Sequence, residues 1–281
     1  RIDVGNMTGR LGEDDLHDEV MRGIRTAMDE VKPDAWLVAE NGDFLASDLN
    51  GFGWHGAMNY QGFMRPLWNW INQNSSIGGG FQGLPFEMPK ISGKSLVASM
   101  VQFSSSIPWR SLVASMVLLD SHDTARMRTV VNGDKKAHLS AVTAMLTYPG
   151  VPSIFAGDEI GLEGSWGEDS RRTINWEDRS GWDHEFLAEV KKLVHLRRNH
   201  DGLIEGGLRW VAVEDNFICY LRESKKQSVL VFISRKAVRT EIDLADYGYK
   251  VSKTLYGPEA SGGSIKIDAE YATQGIWEVE S

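Results

Sequence analysis

A single cysteine, Cys219, leaves this 281-residue chain no partner for an intramolecular disulfide. Its place in the apolar run Phe217-Ile218-Cys219-Tyr220-Leu221 marks it as a small buried group. Clusters of Cys and His at metal-ligand spacing are also missing, so no zinc site is suggested. There is no run of about 18 apolar residues, which excludes a membrane-spanning segment within the sequence. Positive charge is scarce: 30 Lys and Arg stand against 39 Asp and Glu, and no basic stripe offers itself to phosphates. A nucleic-acid partner is therefore not expected. The lone cysteine favours a cytoplasmic setting. The sequence opens inside a strand-like run and without Met, so an N-terminal portion is expected to precede it.

What is plentiful is apolar and aromatic. Hydrophobic residues make up 42% and charged ones 25%, enough for a sizeable core in one large or two ordinary domains. Ten Trp, seven Tyr and ten Phe are a high aromatic load; sugar-binding clefts use rings of this kind as platforms, and core packing is the plain alternative for most of them.

The first two-thirds alternate between strand and helix. Arg1 to Asn6 reads as a strand. Leu16, Val20, Ile24, Met28 and Val31 then recur at helical spacing until Pro33, and Trp36 to Ala39 reads as the next strand. This strand–helix–strand order implies parallel pairing with a right-handed crossover. Further strands are expected at Gly56–Tyr60, Met116–Leu119 and Val151–Ala156, and helices at Phe63–Ile71, Ser92–Phe103, Asp134–Tyr148 and His184–Arg198. Ser75 to Pro89 is a Gly-, Ser- and Pro-rich loop, long enough to wall a cleft. From Leu208 the texture changes to short alternating runs separated by turn residues, the pattern of an all-β sandwich. The expected division is residues 1–201 as α/β and residues 202–281 as the β module.

Three of the strand-like runs close on carboxylates: Arg1-Ile2-Asp3, Trp36 to Glu40, and Val117-Leu118-Leu119-Asp120-Ser121-His122-Asp123. Parallel α/β barrels place their chemistry at the carboxyl ends of strands, so these acids are expected on one rim. Cleaving a glycosidic bond with retention needs a carboxylate nucleophile and a carboxylic acid about 5–5.5 Å apart, and Asp3, Glu40 and Asp123 supply the residue types.

Arg-x-Asp, the following Glu and Ser-His-Asp resemble three signature regions of the α-amylase superfamily, glycoside hydrolase family 13. Gly150-Val151-Pro152-Ser153-Ile154-Phe155-Ala156-Gly157-Asp158-Glu159 is similar to that family's eighth barrel strand, and the terminal β module to its C-terminal domain. The resemblance spans essentially the whole chain. It implies a (β/α)8 TIM barrel, of which about the second half lies here, followed by a β-sandwich. It also implies Asp3 as nucleophile, Glu40 as general acid and then base, and Asp123 as a ligand of the distorted sugar. His122 would donate a hydrogen bond to the same sugar, and Arg1 would orient the nucleophile through a charge-assisted pair.

The segment Glu168 to Trp176 resembles a loop of maltodextrin-acting members in which an Asp and an Arg grip the next glucose. Asp169 and Arg172 are the corresponding choices, with a surface ion pair as the plain alternative. Asn59 and Tyr60, with Trp54 and His55, are candidates for the acceptor side, and core packing serves them equally well. Asp158 and Glu159 are expected to support the barrel end rather than perform chemistry.

The family's three earlier strands, its Asn-His region and its inserted domain are not in this sequence. About five strands cannot close a barrel of eight, so the N-terminal half is expected from the same protein or a second chain. No cofactor is evident; Ca2+, where the family uses it, would be held through that missing part. The expected partner is an α-linked glucose oligosaccharide or polysaccharide, cleaved at α-1,4 bonds. Motifs resemble most the neopullulanase, cyclomaltodextrinase and α-glucosidase group. Rival readings are an α-1,6-glucosidase, a transferase such as a trehalose-forming enzyme, and a non-catalytic carbohydrate-binding relative.

Overall fold

The computed structural model describes residues 1–40, 46–74, 77 and 87–281. It divides into two compact units, one of Arg1–Pro66, Ala98–Leu118 and Gly150–Ser153, the other of Leu67–Val97, Leu119–Pro149 and Ile154–Ser281. The α-helices among the described residues are α1 (His17–Val31), α2 (Arg65–Ile71), α3 (Gly93–Ser105), α4 (Trp109–Val113), α5 (Met127–Val130), α6 (Lys135–Thr147), α7 (Gly167–Ser170), α8 (His184–Arg198) and α9 (Asp201–Glu205).

The first unit is built on short parallel strands. A two-residue antiparallel ladder, β1 (Arg10–Leu11) with β2 (Asp14–Asp15), precedes them. Then β3 (Val38–Ala39) pairs with β4 (Gly56–Ala57), and β5 (Met116–Leu118) with β6 (Val151–Ser153), both in parallel. Single parallel bridges, Ile2 to Ala39 and Met58 to Met116, join these pairs into one arc of five chain segments. Val38, Ala39, Val117 and Leu118 are all buried, as strands covered on both faces must be. Gly56 lets two backbones meet: a Cβ there would lie 2.2 Å from the Ala114 carbonyl oxygen.

Two sequence expectations change here. Of the strand expected at Arg1 to Asn6, only Ile2 bridges a neighbour, because Val4 turns left-handed and Gly5–Met7 forms a turn of 3-10 helix. Helix α1 buries His17 and Met21, whereas Leu16 and Val31 at the ends of its expected apolar stripe are exposed. Met21 packs so close to Gly53 that a Cβ there would touch its sulfur. Periodicity identifies an apolar face, but not the neighbour that covers it.

In the second unit, β7 (Gly207–Val213), β8 (Phe217–Glu223), β9 (Ser228–Ser234), β10 (Val238–Asp243), β11 (Lys250–Tyr256), β12 (Ser264–Ala269) and β13 (Gln274–Glu280) are antiparallel throughout. Five of them form a sheet in the order β11-β13-β9-β8-β7, and β10 pairs with β12. Phe217, Cys219, Leu221, Leu230, Phe232 and Trp277 from the sheet share one core with Ile242, Ile265 and Ile267 from the β10–β12 ladder. That is a two-layer packing. In β11, lysines stand among Val251 and Leu255, so no clean apolar alternation marks this strand in the sequence.

Helix α6 is buried on every side from Ala137 to Thr147. Its small residues allow this, and its hydroxyls are satisfied internally: Thr147 Oγ1 meets Thr143 O at 2.6 Å and Tyr220 OH at 2.6 Å. Asp134 caps its start by accepting from the Lys136 and Ala137 amides. In α8, Phe186, Val190 and Leu193 are buried, while Leu187 and Val194 line an open groove of about 740 Å³ with Ile154. The loop expected over Ser75 to Pro89 lies, for residues 75–76 and 78–86, outside the described residues.

Candidate active site

In the first unit, the parallel arc brings Arg1, Asp3 and Glu40 together. The Ile2 amide donates to Val38 O at 2.9 Å and the Glu40 amide to Ile2 O at 2.8 Å, so the two acids leave adjacent strand positions. Arg1 bridges them: Nη1 lies 2.9 Å from Asp3 Oδ1 and Nη2 lies 2.6 Å from Glu40 Oε1. Its Nε donates to Met58 Sδ at 3.4 Å, which ties the guanidinium to the next strand. The side chain of Asp3 is 75% exposed and that of Glu40 only 14%, so one acid faces outward while the other sits against the wall.

The second oxygen of Glu40, Oε2, accepts the Val4 amide at 2.9 Å. Each Glu40 oxygen therefore faces one N–H group, which leaves a second lone pair on each. The Val4 contact depends on an unusual backbone, with φ 43° and ψ 51°. A β-branched residue in that left-handed region stores about 1–3 kcal/mol of strain. Replacing Val4 by Asn, which tolerates the conformation, is expected to raise stability by about 1 kcal/mol. Thermal unfolding of the full-length protein checks this, and a lower midpoint would show that Val4 is not strained.

The second unit carries His122 and Asp123 on the loop after β5. His122 Nε2 lies 3.2 Å from Asp123 Oδ2, and the Asp123 amide donates to Ser121 Oγ at 3.2 Å. Sequence reasoning chose Arg172 and passed over Arg171, yet Arg171 is the residue that holds this loop. Its Nε donates to His122 O at 2.9 Å and its Nη2 to Asp123 Oδ1 at 3.1 Å. Gly167 sits beneath: a Cβ there would come within 3.0 Å of the Asp123 backbone.

Arg172 grips Asp169 through both nitrogens, at 2.8 to 2.9 Å, and Ser165 N donates to the same carboxylate at 2.7 Å. The Ser165 amide, and then Arg172, hold the Asp169 carboxyl below its ordinary range. The pair is thus a fixed unit on the surface.

Asn59 and Tyr60 are each about 1% exposed. Asn59 Oδ1 accepts the Gly62 amide at 2.8 Å and caps the turn that opens α2, so both residues brace the wall from its interior side. Trp54 is fully buried, and His55 accepts the Leu37 amide at 3.0 Å while burial pulls its basicity down. Among the described residues, no three His, Cys, Asp or Glu side chains are placed to share a metal ion. No described helix is long and apolar enough to cross a membrane.

Residues 5–185 match the alpha-amylase catalytic-domain family. A cyclomaltodextrinase of Bacillus sp. is 30% identical over 83% of this chain and 38% of its own length. Neopullulanase 2 of Thermoactinomyces vulgaris is 27% identical over 95% of this chain and 40% of its own. The chain therefore spans less than half the length of these curated relatives. The crystal structure of a debranching enzyme from Nostoc punctiforme shares the fold, with a TM-score of 0.81 and 24% identity over 92% of this chain and 55% of that one. On the strength of the catalytic-domain match, the chain belongs to the alpha-amylase family, glycoside hydrolase family 13.

Proposed function

We propose that the whole protein is a retaining glycoside hydrolase of α-linked glucans and maltooligosaccharides. The observation that carries this reading is the Arg1 bridge, which holds two carboxyl groups within the span of one guanidinium at adjacent strand ends. In the first step the exposed Asp3 carboxylate attacks the anomeric carbon as Glu40 gives its proton to the departing glycosidic oxygen. This forms a covalent glycosyl–Asp3 ester and frees the leaving sugar. In the second step Glu40 takes a proton from water, whose oxygen displaces Asp3 from the anomeric carbon. Asp123 and His122 bind hydroxyls of the distorted ring. Arg171 holds Asp123 in place, and Asp169 with Arg172 receives the next glucose.

The cleaved linkage is α-1,4, as the similarity to a cyclomaltodextrinase supports. Action on α-1,6 bonds is the second reading, favoured by the similarity to an amylopullulanase of Thermoanaerobacter thermohydrosulfuricus. We further infer that the five-segment arc is completed to a (β/α)8 barrel by strands from the N-terminal half. Its outer segments, Ile2 and β6, have no second strand partner among the described residues, and β-barrels leave no open edge. Exposed Leu11, Leu16 and Val31 in the first unit, and the groove along α8 in the second, are apolar surfaces of the kind such strands and helices cover.

Products of the full-length protein on maltoheptaose, pullulan, isomaltose and a cyclodextrin test the reading, with anomers followed by NMR. Release of α-anomers is the expected result. Initial β-anomers would overturn the double displacement, and binding without turnover of all four would favour the non-catalytic relative.

A further inference from the structure

Within the second unit lies a buried acid pair to which the proposed chemistry gives no task. Asp120 is 2% exposed and Asp158 is 4% exposed, and the two carboxyl groups are near enough for each to act on the other's charge. Two buried carboxyl groups side by side favour one proton between them over two charges. The donors around the pair do not supply a substitute. Asp120 Oδ2 accepts the Met127 amide at 2.6 Å, whereas Asp120 Oδ1 meets no N–H or O–H donor among the described residues. Asp158 Oδ1 accepts Arg126 Nη1 at 2.8 Å. One guanidinium facing two buried carboxyl groups leaves a charge in excess unless one of them stays protonated.

Arg126 connects this pair to the candidate sugar site. It is 1% exposed and lies 3.8 Å above the Phe155 ring. Its Nε and Nη2 both donate to Ser170 O, at 3.0 and 2.8 Å. Ser170 Oγ in turn donates to Thr124 O and Trp166 O, and the next residue is Arg171, which holds His122 and Asp123. The acid pair, Arg126, Ser170 and Arg171 thus form a continuous path to Asp123.

We propose that Asp120 and Asp158 share one proton and, with Arg126, act as positioning residues that fix the Asp123 loop against α7. The sharing of the proton rests on the burial of both acids, the single guanidinium beside them and the orphaned Asp120 oxygen; the positioning role rests on the reading of Asp123 as a sugar ligand. Burial, and then the charge of Asp158, push Asp120 well above the ordinary carboxylate range, and burial raises Asp158 as well. The charged groups facing the pair are Arg126 and, beside Asp158, Glu159. Loss of the shared proton as pH rises sets two anions and Glu159 against one cation and loosens the path.

The native state holds this proton at pH values where the unfolded chain has released it. Stability therefore falls as pH rises above about 4, by up to tenfold in the unfolding constant per pH unit for one proton, until the folded pair titrates. In the full-length protein at neutral pH, infrared spectroscopy is expected to show a protonated-carboxyl C=O band that Asp120→Asn removes. Asp120→Asn keeps the shape and an N–H donor towards Asp158, so the fall of the unfolding midpoint with pH flattens. The alkaline limb of kcat/KM also moves to higher pH. Absence of the band in the wild type, or an unaltered pH dependence of unfolding, would overturn the shared proton. An unmoved alkaline limb would overturn the positioning role. If Asp120→Asn does not fold, titration of the band in the wild type decides. A band that behaves as expected in a protein without glucan hydrolysis would support the shared proton and overturn the proposed function instead.

Discussion

Asp3→Asn in the full-length protein is expected to lower kcat on the order of 10⁴-fold or more while leaving the fold intact. An amide keeps the size of the side chain but cannot displace the leaving sugar, so no covalent intermediate forms. The stability cost is small because Asp3 is 75% exposed and its pairing with Arg1 is a surface ion pair, worth at most about 1 kcal/mol. Arg1 keeps its second anchor at Glu40, 2.6 Å away, and its third at Met58. The guanidinium consequently stays in place, and the loss reports chemistry rather than rearrangement. Rapid-quench turnover and a thermal melt check the two halves of the expectation. Turnover within an order of magnitude of the wild type would remove Asp3 from the nucleophile's role.

How much of this was legible in the sequence depends on whether a residue's neighbours are local. The parallel strands were readable at Val38–Ala39, Met116–Leu118 and Val151–Ser153 because each is an apolar run bounded by turn residues, and α8 because its period persists for four turns. The meeting of Asp3 with Glu40 was readable because each closes one of two consecutive strand-like runs, which pair side by side. Arg171 was not, since two adjacent arginines look alike until the loop has folded and one of them reaches His122 O. Arg222 shows the same limit in the β module. It ends an apolar run and looks like a surface charge, yet it is fully buried, donates to Gly206, Gly207 and Thr147 carbonyls, and is pulled down to about 10 by burial. No periodicity announces an arginine whose partners are main-chain oxygens as many as 75 residues away. Asp120 is a third case, because its partner Asp158 arrives only when the strands lie side by side.

The largest effect on stability is expected at Gly56→Ala, by about 3–5 kcal/mol or to the point of misfolding. The added methyl would meet Ala114 O at 2.2 Å, Ala114 C at 2.4 Å and Ser115 N at 2.5 Å. All three are backbone atoms, so no rotamer change relieves the overlap and the segments must move apart. That movement breaks the ladder in which the Met58 amide donates to Ala39 O and the Asn59 amide to Met116 O. It also shifts Met58, whose sulfur anchors Arg1, so any protein that still folds should lose activity beyond its loss of stability. Gly23→Ala provides the contrast. Gly23 is exposed within α1 and a methyl there meets nothing within 4 Å, so helix propensity alone acts and stability rises by about 0.5–1 kcal/mol. Denaturant melts of the two variants in the full-length protein, run side by side, separate steric overlap from intrinsic propensity. Equal and small effects would mean that the close approach at Gly56 is not what holds the arc together.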